Sequence, residues 1–127
     1  MRVLFEMEFP LEAPATRIYE YISNDYGLAK WFANKVEANE EGTVYRCEWD
    51  EITVHAKIIK QKKNKYIRFQ MQENPENEIF EIRIVQNDVT EDYALIIKDY
   101  AEENEVEDYK MLWNSQVKDL AYLLEQE

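Results

Sequence analysis

A single cysteine, Cys47, stands in the chain. No intramolecular disulfide can therefore form, and a cluster of thiolate metal ligands is excluded. The single histidine, His55, is as restrictive. Hydrolytic triads and most zinc sites need a histidine beside defined partners, and here neither a second histidine nor a positioned serine accompanies it. No stretch approaches the roughly 20 apolar residues needed to span a bilayer. The first residues alternate charge with apolar side chains (Arg2, Glu6, Glu8) and lack the apolar run of a secretory signal, so a cytoplasmic location is expected. Positive charge is scarce, with 15 basic against 27 acidic residues and a net charge of −12. Such a surface repels phosphate backbones and anionic lipid heads. Neither nucleic acid nor membrane is expected as a partner, whereas a basic protein would be complemented. No internal repeat or low-complexity linker interrupts the chain.

What is present suits one globular domain over residues 1–127, since 127 residues can bury a core without staples. The apolar fraction of 46% against 33% charged excludes a disordered composition. Residues 105–126 carry the plainest signal. Val106, Tyr109, Trp113, Val117, Leu120 and Leu124 recur every three or four positions, with Leu112 and Leu123 widening the stripe. Glu107, Asp108, Lys110, Lys118 and Asp119 fall off that face, which predicts an amphipathic helix. Asn104 and Glu107 read as an N-cap and its capping-box partner.

Upstream the period is mostly two. Val3, Phe5, Met7 and Phe9 predict a first strand, closed by Pro10 and Pro14. Ile18, Tyr21 and Ile22 make a short helical face over residues 15–23, and Asn24 or Asp25 can cap a second short helix carrying Leu28, Trp31 and Phe32. Gly27 weakens that second helix. Then Tyr45, Cys47 and Trp49 alternate, followed by Ile52, Val54, Ala56 and Ile58, by Ile67, Phe69 and Met71, and by Phe80, Ile82 and Ile84. A last strand from about 93 to 101 is apolar on both sides and expected to be central. Short connections imply antiparallel neighbours. The fold class is α+β: a sheet of about six or seven strands with one long helix covering its apolar face.

This order, with Phe9, Ala13, Pro14, Ile18, Tyr21 and Ile22, then Leu28-Ala29-Lys30-Trp31-Phe32 and Val36, then Gly42 and Trp49, and finally Trp113, Leu120, Leu123, Leu124 and Glu125, resembles the START-like or SRPBCC superfamily. Within it the chain is most similar to the branch of activators of heat-shock-protein ATPase homologues. The resemblance implies a helix-grip fold, with a curved antiparallel sheet around the C-terminal helix and an apolar cavity between them. Across the superfamily that cavity takes lipids, hormones, polyketides and other apolar ligands. Some members are enzymes and others bind protein partners. Here the presence of only two glycines and many large inward rings predicts a small or filled cavity.

Single residues offer little chemistry, and no catalytic residue, metal site or cofactor is expected. His55 is out of phase with Val54 and Ala56 and should face solvent; Cys47 is in phase with Tyr45 and Trp49 and should be a small buried hydrophobe. Glu48, Asp50 and Glu51 cluster near one hairpin without the spacing of a calcium loop. Lys57, Lys60, Lys62, Lys63, Lys65 and Arg68 share one hairpin, and acidic residues crowd the entry to the long helix, so the surface is polarised. Asp99 continues the phase of Tyr93, Leu95 and Ile97, although the outward twist of a strand end favours exposure. Trp31, Phe32, Tyr45, Trp49, Phe69, Phe80, Tyr93, Tyr109 and Trp113 are core rings on one reading. On the other they are the ligand-binding lining, with tyrosine hydroxyls and tryptophan N–H groups as polar handles. The leading expectation is non-catalytic binding of a small apolar ligand. A co-chaperone-like protein-interaction module is the alternative, and an enzyme using the same pocket the third. The net charge generates a direct test. Binding to duplex DNA or to anionic vesicles should be undetectable at physiological salt. Measured affinity that weakens with salt would show the basic hairpin overriding the net field.

Overall fold

The computed structural model describes residues 1–126. The chain runs β1 (Arg2–Leu11), α1 (Ala15–Ile22), α2 (Asp25–Leu28), β2 (Lys35–Ala38), β3 (Val44–Trp49), β4 (Ile52–Lys62), β5 (Tyr66–Met71), β6 (Ile79–Gln86), β7 (Tyr93–Glu102) and α3 (Val106–Glu125). The strands form one antiparallel seven-stranded sheet in the order β1-β7-β6-β5-β4-β3-β2. β2 to β7 are a meander of hairpins. β1 instead joins the far side, with Arg2 opposite Glu102 and Leu11 opposite Tyr93. The chain must therefore cross the whole sheet between β1 and β2, and α1 and α2 make that crossing. With α3 on the same apolar face, this is the helix-grip architecture. Among the described residues no helix is long and apolar enough to cross a membrane.

β1 does not stop at Pro10, as its sequence suggested. It continues to Leu11, because β1 is an edge strand, where a missing N–H leaves no ladder bond unmade. Pro14 sits just before α1, and its carbonyl accepts from the Arg17 and Ile18 amides. Asn24 caps α2, its side chain accepting from the Gly27 amide at 2.7 Å. Gly27 is not simply a weak helix former. A Cβ there would collide with the Glu20 carbonyl and lie 2.8 Å from the Tyr21 Cα, so α2 presses on α1 as only glycine permits. Gly42 has φ +71° in the β2–β3 turn, where Asn39 Oδ1 accepts from the Thr43 and Val44 amides.

The core lies between the concave sheet face and the three helices. Ile18, Ile22, Ile67, Ile82, Leu95, Ile97 and Leu120 are fully buried. α3 buries Trp113, Gln116, Val117, Leu120 and Leu124. Arg17 on α1 donates to the Leu124 carbonyl at 2.9 Å and satisfies an end group of α3. The start of α3 differs from its expected form. Asn104 lies in a 3-10 turn over Glu103–Glu105, and no side chain caps the helix. Glu107 and Asp108 in the first turn favour the helix dipole instead. The stripe is also narrower, with Leu112 46% exposed. Ile52 likewise lies outside the core, at 60% exposure near the β3–β4 turn.

The α1–α2 contact can be tested at Gly27. Alanine gains about 1 kcal/mol in helix propensity, but its methyl meets backbone that cannot rotate away, a strain of typically 1–3 kcal/mol or more. Gly27→Ala should lower the thermal midpoint. An unchanged or raised midpoint would show that α2 shifts freely on α1.

Candidate functional site

The site begins with Phe32. The turn after α2, in which the Phe32 amide donates to the Leu28 carbonyl at 2.8 Å, aims its ring between sheet and helix. There it stacks on Phe80 at 5.8 Å and 12°, meets Trp49 edge-on at 5.2 Å and contacts Trp113 at 5.5 Å. Its carbonyl accepts from Trp49 Nε1 at 3.0 Å and Gln116 Nε2 at 2.6 Å. Those bonds hold β3 and α3 to the same backbone oxygen.

Beside this cluster a cleft of about 390 Å³ opens between the sheet and the first half of α3. Phe32, Trp49, Phe80, Tyr109 and Trp113 contribute rings to its wall, and Ile52, Val54, Met71 and Leu112 contribute aliphatic and thioether surface. The polar lining is Arg2, Asn74, Asp99, Tyr100 and Gln116. Tyr109 and Leu112 are part-exposed because they stand over this opening and not over the sheet.

Asp99 departs from its expected exposure. It stays in phase with Leu95, Ile97 and Ala101 on the core face of β7. Pairing with β6 ends at Lys98, but β1 pairs on past Asp99 to Glu102, so Asp99 is not at a free strand end and does not twist away. Its Oδ1 accepts from the Tyr100 amide at 2.8 Å, and its Oδ2 from Trp113 Nε1 at 3.3 Å. Desolvation pushes its pKa from 3.8 up to about 6, against those two hydrogen bonds and the Arg2 charge. Arg2 does not neutralise it, because its Nε and one terminal nitrogen hold the buried Glu78 carboxylate at 2.7 and 2.8 Å.

The remaining expected lining residues lie elsewhere. Trp31 is buried against α1, donating from Nε1 to the Tyr21 carbonyl at 2.8 Å. Tyr45 donates its hydroxyl to the Ser23 carbonyl at 3.2 Å, and Phe69 is sealed beneath Phe80 at 5.2 Å. All three are core rings that do not line the cleft. Tyr93 stands at the opposite end of β7, beside Leu11 and Pro14. Arg2, Asn74 and Gln116 were not singled out from sequence. Gln116 had a signal, lying three residues after Trp113 and four before Leu120 on the buried stripe. Arg2 had none, because its contact with Glu78 is purely tertiary.

His55 lies on the other sheet face, its Nδ1 2.7 Å from Glu73. Cys47 is buried, and desolvation pushes its thiol up to about 12, far from the thiolate a nucleophile needs. No group of three or more His, Cys, Asp or Glu residues is placed to hold a metal ion among the described residues. Arg68 and Arg83 both hold Glu81 and flank the Tyr66 ring, so Arg68 is committed locally.

A family model for a START-like superfamily domain matches residues 1–125. A Bacteroides fragilis protein solved by solution NMR is 30% identical, with a TM-score of 0.64 over 94% of this chain and 88% of that one. The Aha1 dimer from Colwellia psychrerythraea gives a TM-score of 0.79 at 16% identity, covering 96% of each chain. DynU16, a protein of the dynemicin biosynthetic locus, gives 0.79 at 17% identity over 96% of this chain and 47% of its own. The latter two likenesses concern the fold. No curated protein matches the chain.

The Asp99 carboxyl sets a pH dependence of stability. Its folded pKa of about 6 exceeds the ordinary 3.8, so the unfolded chain releases this proton first as pH rises. Stability from this group is full below about pH 4 and is lost as pH climbs through 6, by roughly 3 kcal/mol at most. Asp99→Asn should therefore be more stable than wild type at pH 8, by about 1–2 kcal/mol, with the gap closing towards pH 4.5. Denaturant unfolding at both pH values checks this. A variant less stable at pH 8 would mean that the ionised carboxylate is net favourable.

Proposed function

Because the chain belongs to the START-like superfamily, we propose that it binds a small, predominantly apolar ligand in the cleft between the sheet and α3, without catalysing a reaction on it. The observation that carries this reading is the cleft itself. At about 390 Å³, with a ring-rich wall and a few convergent polar groups, it has the size and chemistry of small-molecule sites. The large rings leave this space because they stack on one another around Phe32 and do not extend across the gap. Non-catalytic binding is favoured because His55 is outside the cleft and the Cys47 thiol stays protonated. A lone buried thiol suits a reducing compartment, and we place the protein in the cytoplasm.

A protein-docking role is the second reading. It is favoured by Met111 and Tyr122, which stand 69% and 63% exposed on the outer side of α3. Titration with the neutral dye N-phenyl-1-naphthylamine separates the two. Ligand binding predicts a saturable, blue-shifted emission. Trp113→Ala should weaken it about tenfold or more, since the ring borders the cleft and dispersion there is lost. Because Trp113 is also buried against Trp31, Phe32 and Phe80, the variant should lose about 3–5 kcal/mol of stability as well, and binding is compared at a temperature where circular dichroism shows both proteins folded. Uptake that never saturates, or an affinity indifferent to Trp113, would remove the ligand reading and leave the outer face of α3 as the functional surface.

A further inference from the structure

The charges at the polar end of the cleft do not balance, and this bears on what occupies it. Arg2 enters from β1, but its guanidinium is spent on Glu78, which is 7% exposed and gripped at 2.7 and 2.8 Å. That pair is neutral as a unit. Asp99 on β7 is left over, and among the described residues no lysine or arginine nitrogen lies within ion-pair distance of it. The hydrogen bonds it accepts, from the Tyr100 amide and from Trp113 Nε1, are two against about four acceptor positions on a carboxylate. The free positions belong to an acid that lines the cleft. The aromatic wall around it is formed by Phe32, Tyr109 and Trp113, and ring faces attract cations.

We propose that the cleft is selective for organic amines: an aromatic or alkyl body against the rings, with an ammonium group donating to the Asp99 carboxylate. The inference rests on the ligand-binding reading above and names the ligand class for that site. An anionic head group would meet Asp99 with Glu78 behind it. A neutral ligand would leave the carboxylate desolvated and uncompensated. An ammonium supplies both the missing charge and the missing donors. The carboxyl's shift to about pH 6 has the same origin, a half-buried, desolvated acid without a counter-charge. The groups facing it are Arg2 and Glu78, together with Tyr109 from α3, whose phenol is itself pushed up by burial and by nearby acids.

Three probes sharing one ring body test this by calorimetry at about pH 7.5 and about 0.15 M salt, where diffuse attraction to the acidic surface is screened: 1-naphthylmethylamine, 1-naphthylmethanol and 1-naphthaleneacetate. The amine should bind about tenfold or more tighter than the alcohol, as expected for a hydrogen bond to a charged group, and the acetate weakest. Asp99→Asn should bring the amine-to-alcohol ratio close to one. In wild type the same ratio should shrink from about pH 7.5 to pH 5, as Asp99 takes up its proton while the amine stays charged. This second readout does not depend on the variant folding. A wild-type ratio near one, or a preference that survives Asp99→Asn, overturns the amine selectivity and leaves the ligand reading standing. Failure of all three probes to bind overturns both.

Discussion

The Phe32 carbonyl receives two side-chain N–H groups, one from a strand and one from the long helix. Its own ring lies against both of those elements and against β6. One residue in a turn thus fixes the separation of sheet and helix. Had Trp49 and Gln116 found separate acceptors, β3 and α3 could slide past each other at little cost. Sharing one oxygen, they cannot move apart without one buried donor going unsatisfied, a loss of roughly 1–3 kcal/mol. The short helices matter for the same reason. α2 can deliver Phe32 only because Gly27 lets it close on α1. The size of the cleft follows from these constraints.

Three acids withdrawn wholly or partly from solvent are handled in contrasting ways. Glu81 is 6% exposed, and burial works against its charge, yet Arg83 and Arg68 hold its pKa below the usual carboxylate value. Glu78 has the Arg2 fork. Both are structural ion pairs: Glu81 is held from β5 by Arg68 and from its own strand β6 by Arg83, and Glu78, just before β6, is held from β1 by Arg2. Asp99 has only an amide and an indole, and it is raised where Glu81 is lowered. Folding alone gives no reason to keep an acid in that state, and perturbed groups of this kind gather at functional sites.

Much of the architecture was legible in the sequence because it rests on period. The strands follow alternation, and α3 follows a stripe whose buried members Trp113, Val117, Leu120 and Leu124 were all visible. What was not legible depends on neighbours distant in sequence. Asn104 has the residue type and spacing of a cap, but the 3-10 turn places it elsewhere. Gly27 looks like a weakness until its distance to α1 is known. Asp99 would turn outward at a free strand end, and the pairing of β7 with β1, which runs on to Glu102, prevents this. Periodicity assigns a ring to a face but not to a position along it. Trp31, Tyr45 and Phe69 share the inward side with Trp113 yet never reach the cleft, and Tyr93 sits at the wrong end of its strand.

The pairing of β1 with β7 also has a consequence for synthesis. Hairpins from β2 to β7 can zip locally as they leave the ribosome, each strand meeting its sequence neighbour. β1 is made before the other strands but waits for the last of them, because Arg2 aligns with Glu102 and Phe5 with Asp99. Until then the alternating Val3, Phe5, Met7 and Phe9 form an unprotected edge in the growing chain, the kind of segment that invites aggregation. Glu6 and Glu8, alternating with those apolar residues, place charge along that exposed strand, and Pro10 removes a donor near its end. Charge and proline in such a strand oppose its pairing with other chains. Docking of β1 then completes the sheet and brings Arg2 to the Asp99 end of the cleft, so the site forms only after every strand of the sheet has been made.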